Sequence, residues 1–153
     1  MIRKYAIISL LTALATFPAL AEPACGLYQY RAEITDVYDG DTITADIDLG
    51  FNTWRRGEKL RLYGLDTPEV RGPDKALGIA ARDALRNRIM GKQVTICTIK
   101  DENSTEEERE KFGRYLAKVY IGDELVNDWM IEQGFGRAYS GDARQLFSAP
   151  AGQ

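Results

Sequence analysis

No histidine occurs among the 153 residues. The side chain used most often as a general base and as a zinc ligand is missing, which argues against imidazole-dependent or zinc-centred chemistry. The uncharged apolar stretch Ala6–Phe17 falls well short of the roughly 20 residues that a membrane-spanning helix needs. There is no excess of positive charge either: 20 Lys and Arg stand against 23 Asp and Glu, a formal net charge of −3. That counts against indiscriminate polyanion binding, which relies on a broad basic face, so any anionic partner must meet a local patch. Internal repeats are absent, and so are low-complexity tracts apart from the short tail Ser148–Gln153. What is present is 44% apolar residues, enough for the core of one globular domain.

The first 21 residues read as an export signal. Arg3 and Lys4 form a positive head, Ala6–Phe17 is the apolar run, and Ala19-Leu20-Ala21 is a small-x-small cleavage site. The alternative, an amphipathic first helix, lacks a polar face. Glu22-Pro23-Ala24 before Cys25 is not the small apolar box of a lipid anchor, so no membrane anchor is expected. Residues 22–153 are then a single exported domain, periplasmic or secreted, with its core at about 30–140, a flexible tail at 141–153, and a monomeric state. Without Arg3 and Lys4 the count is 18 basic against 23 acidic residues, a balance of −5.

Both cysteines, Cys25 and Cys97, fall in the exported part, where a disulfide is permitted. A bridge between them would close a loop of about 70 residues, worth about 4 kcal/mol on the chain-entropy model. Two unpaired thiols, one near a terminus and one in a strand, are the other possibility.

Strand-like alternation is weak over Tyr30–Val37, clear over Thr42–Leu49 (Ile43, Ala45, Ile47 and Leu49 on one side), and resumes over Lys59–Leu65. Asp39-Gly40 between the first two is a hairpin signal. From Lys75 to Met90 the period changes, with Leu77, Ala81, Leu85 and Ile89 every four residues and Gly91 as a stop. Val94–Ile99 and Tyr115–Ile121 read as two more strands, and Leu125–Gln133 as a second helix ended by Gly134. Five strands with a helix after the third and another after the fifth predict an α+β, mainly β fold: a five-stranded OB-type barrel with two or three short helices.

Two acidic segments stand out. Asp39-Gly40-Asp41-Thr42 is what a tight hairpin needs, and Asp66-Thr67-Pro68-Glu69 could be a turn or a capped helix start. Each alone is explained by structure. Their combination with two awkward arginines is not. Arg61 lies in the apolar run Leu60, Leu62, Tyr63, Leu65, so its guanidinium must reach solvent or an anionic partner. Arg114 follows Gly113 at the start of a strand, where a guanidinium suits bidentate contact with phosphate.

The segments VYDGDTI (37–43), RLYGLDTPEVRG (61–72), KALGIAARDAL (75–85), KFGRYLAKVY (111–120) and ELVNDWMIEQGFGRAY (124–139) together resemble the staphylococcal nuclease, or thermonuclease, family from Ala32 to about Tyr139. The resemblance implies an exported OB-barrel hydrolase, a phosphodiesterase acting as an endonuclease on DNA and RNA with Ca2+ and preferring single strands. It implies that Asp41 and Asp66 ligate the metal by carboxylate and Thr67 by its backbone carbonyl, with Asp39 beside them. By the same resemblance Glu69 orients or deprotonates the attacking water, and Arg61 and Arg114 hold the scissile phosphate. Lys111, Arg137 and Tyr139 are candidates for flanking the substrate.

The residue chemistry agrees. Calcium takes oxygen ligands, and three protein ligands make a water-rich site suited to a calcium-rich compartment. A carboxylate three residues past a ligand, as Glu69 is after Asp66, can reach a water held at the metal. Three features depart from the family. Phe112 stands where a substrate-touching Tyr is common. The insertion Asp101–Glu110 carries a run of acids, expected as a solvated loop or single helical turn. Residues after Tyr139 hold no counterpart of the long C-terminal helix of the staphylococcal member. A different class of function, a catalytically silent nuclease-like OB module that binds nucleic acid or protein, is opposed by the joint presence of Asp41, Arg61, Asp66, Glu69 and Arg114. A sugar or toxin-like binder leaves both acidic motifs unexplained.

Overall fold

The computed structural model describes Cys25, Phe147 and residues 28–100, 109–110 and 112–140. The expected signal at 1–21, most of the acidic insertion, Lys111 and all of the tail but Phe147 lie outside the described residues.

In chain order the elements are β1 (Gln29–Val37), β2 (Thr42–Asp48), β3 (Trp54–Leu62), β4 (Leu65–Asp66), α1 (Lys75–Ile89), β5 (Gln93–Thr98), β6 (Tyr115–Ile121), β7 (Glu124–Leu125), α2 (Val126–Glu132) and β8 (Arg137–Ala138). Strands β1, β2 and β3 form an antiparallel meander, β5 pairs antiparallel with β1, and β6 pairs antiparallel with β5. A short parallel ladder, Leu60 with Tyr115 to Leu62 with Ala117, joins β3 to β6 and closes the sheet. The result is a closed five-stranded barrel of the OB type, mainly β, with two helices. Register shifts between Ile34 and Asp36 on β1, and between Ala45 and Ile47 on β2, are bulges that bend the strands toward closure.

Alternation fills the interior. Ile34, Ile43, Leu60, Leu62, Ile96 and Val119 point inward and are buried, and Leu85, Ile89, Val126 and Met130 from the two helices join them. Burying each such side chain stabilises the fold by about 1.5–3 kcal/mol.

Four expectations shift. Leu49 is 46% exposed rather than part of the inward face, because β2 ends at Asp48 and Leu49 enters the turn. The third strand begins at Trp54, not Lys59, and stops at Leu62, where Tyr63 and Gly64 turn the chain into the separate strand β4. On α1 the inward stripe is Gly78, Ala81, Leu85 and Ile89, while Leu77 is 48% exposed. Three turns of about 3.6 residues back from Ile89 reach Gly78 rather than Leu77. The capped-helix reading of Asp66–Glu69 also fails: α1 starts at Lys75, with Asp74 at its N-cap position.

Where α2 meets the seam, the buried Asn127 side chain bridges three backbone groups. Its Oδ1 accepts from Val119 N–H (3.0 Å), and its Nδ2 donates to the carbonyls of Tyr63 (2.9 Å) and Ala117 (3.1 Å). The two cysteines are bonded to each other, with Cα atoms 5.6 Å apart across 72 residues of sequence. The bridged alternative therefore holds. Among the described residues no helix is long and apolar enough to cross a membrane.

Candidate active site

The β1–β2 loop and the turn after β3 are built to meet. Asp39 Oδ1 accepts from Asp41 N–H at 3.0 Å, an Asx-type bond that turns the loop and aims the second acid inward. Asp41 is 1% exposed, and its Oδ2 accepts from both the backbone N–H and the hydroxyl of Thr67, each at 3.1 Å. Thr67 follows Asp66, so these bonds bring DGDT onto DTPE across 26 residues of chain. Asp66, 2% exposed, sits on β4 opposite Arg137 of β8 and accepts from its Nη2 (2.9 Å) and Nε (3.2 Å).

The arginines converge on the same loop. In the β2–β3 ladder Thr42 stands opposite Arg61, and Arg61 donates through Nη1 to Asp41 Oδ1 and through Nη2 to the Leu65 carbonyl (3.2 Å). Arg114, at the entry to β6, donates through Nη1 to Thr42 Oγ1 (2.8 Å), and that hydroxyl donates to Asp41 Oδ1 (3.3 Å). Both guanidiniums are thus one or two hydrogen bonds from a single carboxylate oxygen. Arg61 thus finds an anionic partner: its strand face looks outward from the barrel onto the acidic loop.

Burial first, and then the neighbouring Asp39 carboxylate, push the Asp41 carboxyl up to about 6, although Arg61 and the Thr67 N–H oppose the shift. Asp41, crowded by Asp39, and the buried Asp66 are hard oxygen donors, and with the Thr67 carbonyl they could hold a hard dication. No group of three or more His, Cys, Asp and Glu converges among the described residues. A cation here would keep much of its water.

Glu69 is exposed at the end of the turn, beyond Pro68. Tyr139 lies one strand away, 38% exposed, its N–H bonded to the Gly64 carbonyl at 3.0 Å. Arg137 stacks over the Phe147 ring at 4.2 Å, and the Phe147 N–H donates to Asp74 at 3.0 Å, so one residue of the tail touches both the Arg137–Asp66 pair and the start of α1. Sequence reasoning passed over Thr42 and Glu110. The Glu110 carboxylate accepts from Arg114 Nε at 2.9 Å and from its backbone N–H at 3.4 Å. Burial would raise its carboxyl, but these bonds and one from the Phe112 N–H hold it below the usual range. Glu110 was hidden as the last acid of a run read as solvated; only its spacing of four from Arg114 marked it out.

Residues 59–149 match the family model described as Staphylococcal nuclease homologue. The chain belongs to the staphylococcal nuclease family. The match takes in Arg61, Asp66, Thr67, Glu69 and Arg114, whereas Asp39 and Asp41 precede it and join the site through the bonds described above. Among relatives, Thermonuclease of Staphylococcus intermedius is 33% identical over 105 residues, 67% of this chain and 55% of that protein. Protein ParB of Escherichia coli is 32% identical over 146 residues, 90% of this chain and 71% of that protein. Thermonuclease of Staphylococcus hyicus is 29% identical over 109 residues, 69% and 57% respectively. This staphylococcal nuclease homologue therefore aligns over little more than half the length of the two thermonucleases.

Proposed function

We propose that the chain is a calcium-dependent nuclease that hydrolyses phosphodiester bonds of DNA and RNA, with a preference for single strands. It would work outside the cytoplasm as one domain, residues 22–153, after loss of its leader. The observation that carries this reading is the convergence of Arg61 and Arg114 on the Asp41-Thr42 dipeptide, beside the turn bearing Asp66, Thr67 and Glu69.

Asp41, Asp66 and the Thr67 carbonyl would hold calcium, with Asp39 bracing the loop. When bound, the ion supplies positive charge against the phosphoryl oxygens. Arg61 and Arg114 donate to the non-bridging oxygens as negative charge builds on them during in-line attack. Glu69 would orient the attacking water and take its proton while the new phosphorus–oxygen bond forms and the bond to the leaving ribose or deoxyribose oxygen breaks, that oxygen taking up a proton from solvent water. Lys111, Arg137 and Tyr139 flank the strand, Arg137 with one edge already committed to Asp66.

The test is digestion of single-stranded DNA and of RNA by the purified exported chain, with calcium and with chelator. Cleavage requires calcium, and Arg61→Ala and Arg114→Ala each lower kcat by about 10²–10³-fold. Full activity in Glu69→Gln would remove water activation from the scheme. A folded chain that binds calcium yet cleaves nothing would favour the binding module.

A further inference from the structure

Eight of the described glycines take positive φ and have nothing within 4 Å of where a Cβ would stand. The other three do neither. A Cβ at Gly40 would lie 2.6 Å from Thr67 Oγ1, one at Gly78 would lie 2.2 Å from the Glu69 carbonyl oxygen, and one at Gly136 would lie 2.6 Å from Leu65 Cδ1 and 2.8 Å from the Asp66 carbonyl oxygen. These glycines come from three places: the β1–β2 loop, the inward face of α1, and the connection into β8. All three crowd one short stretch, the Leu65–Glu69 turn that carries the proposed calcium ligands and water-activating acid.

We propose that Gly40, Gly78 and Gly136 form a collar that positions this turn, each present because the turn backbone or Thr67 occupies the space of its side chain. The inference rests on the nuclease reading and deepens it. Gly40 sets the approach of the Asp41 loop to Thr67, and Gly136 seats Asp66. Gly78 lets α1 press on the Glu69 peptide, which explains why a glycine occupies the buried stripe of that helix. None of the three touches substrate; all are positioning residues, and their contacts divide the work. Gly78 faces the Glu69 carbonyl, so it governs where the acid stands. Gly136 faces the Asp66 carbonyl, so it governs calcium.

An alanine at 78 must displace the Glu69 carbonyl or the helix by more than 1 Å to restore an ordinary contact of 3.4 Å. A misplacement of about 1 Å at a reacting group costs about 10²-fold in rate. Gly78→Ala therefore lowers kcat on single-stranded DNA by about 100-fold at saturating calcium, with calcium Kd by calorimetry changed by less than about threefold. Gly136→Ala weakens calcium binding by about 10-fold, the effect usual for residues that orient metal ligands. Gly91→Ala is the control: its φ of 66° makes alanine strained, but nothing lies within 4 Å, so it lowers the melting temperature and leaves kcat and Kd alone.

Folded Gly78→Ala and Gly136→Ala with parental kcat and Kd would overturn the collar, and so would equal changes in Gly91→Ala. Should Gly78→Ala not fold, Gly136→Ala decides, because its nearest obstacle is a movable Leu65 methyl. Backbone amide chemical shifts of Glu69 and Val70, which need neither calcium nor substrate, move in Gly78→Ala and not in Gly91→Ala. A parent chain that neither binds calcium nor cleaves overturns the nuclease reading; unmoved shifts overturn the collar.

Discussion

Replacing Asn127 with Ala should damage the protein more than any other single polar truncation away from the site. The side chain is 2% exposed and serves Val119 N–H, the Tyr63 carbonyl and the Ala117 carbonyl. The Ala117 carbonyl keeps a second donor, Tyr63 N–H at 2.8 Å, so two backbone groups are left wanting rather than three. At about 1–3 kcal/mol for each buried group without a partner, the loss is about 2–6 kcal/mol. The better helix propensity of Ala offsets only about 0.7 kcal/mol of it. Against a total stability of about 5–15 kcal/mol this is a large fraction. Calorimetric and circular-dichroism melts should show Tm lower by about 4–20 °C. Activity per folded molecule should fall as well, since Tyr63 begins the turn linking Arg61 to Asp66. Asn127→Asp keeps the acceptor for Val119 but sets a carboxylate against two carbonyls, so it should be no milder near neutrality and recover partly in acid. A Tm within about 2 °C of the parent in Asn127→Ala would refute the reasoning, because even the net lower bound of about 1.3 kcal/mol exceeds that shift.

In Glu110→Ala the Arg114 guanidinium loses its carboxylate, and kcat/KM should fall by about 5- to 10-fold with calcium affinity unchanged, while Glu110→Gln retains most of the activity; calorimetry beside steady-state rates separates the two. Reducing the Cys25–Cys97 bond frees a 72-residue loop and should remove about 4 kcal/mol, read as a lower Tm in reductant, whereas an unchanged Tm would mean the bridge constrains little. In calcium-free buffer Asp41 has a folded pKa of about 6 against an ordinary 3.8. The folded chain thus holds the extra proton between these values, and Asp41 lowers stability progressively as pH rises from 3.8 to about 6, by roughly 2–3 kcal/mol in full. Urea titrations of parent and Asp41→Asn across that window should show the parent's decline flattened in the variant, and equal slopes would count against it.

The barrel and both acidic motifs were legible because they obey local rules: period two in the strands, Asp-Gly at the hairpin, and an arginine within an otherwise apolar run. The first half of β3 was not. Its residues Arg55, Arg56 and Gly57 lie on an exposed surface, and Arg56 pairs with Asp46 of β2, so the strand is held by its ladder and ion pairs instead of by an apolar stripe. Strands β4, β7 and β8 are two residues each, too short to carry a period, and exist only through tertiary pairing. Gly78 was invisible for a related reason. A glycine on a buried stripe carries no hydrophobic signal, whereas the neighbouring Leu77 does. Asn127 hid likewise, a polar residue on an apolar face whose partners are backbone groups far away in sequence.

The parallel seam between β3 and β6 has a consequence for how the molecule comes into being. Arg61 and Asp41 meet as soon as the β2–β3 hairpin forms, a nearby event in sequence. Arg114 reaches Thr42 only when strand 115–121 docks beside strand 54–62, a contact spanning 72 residues, and such distant pairings are the slow part of folding. The second guanidinium therefore arrives after the first. A chain whose barrel has not closed carries half of the proposed phosphate clamp, so the proposed chemistry is tied to closure of the seam.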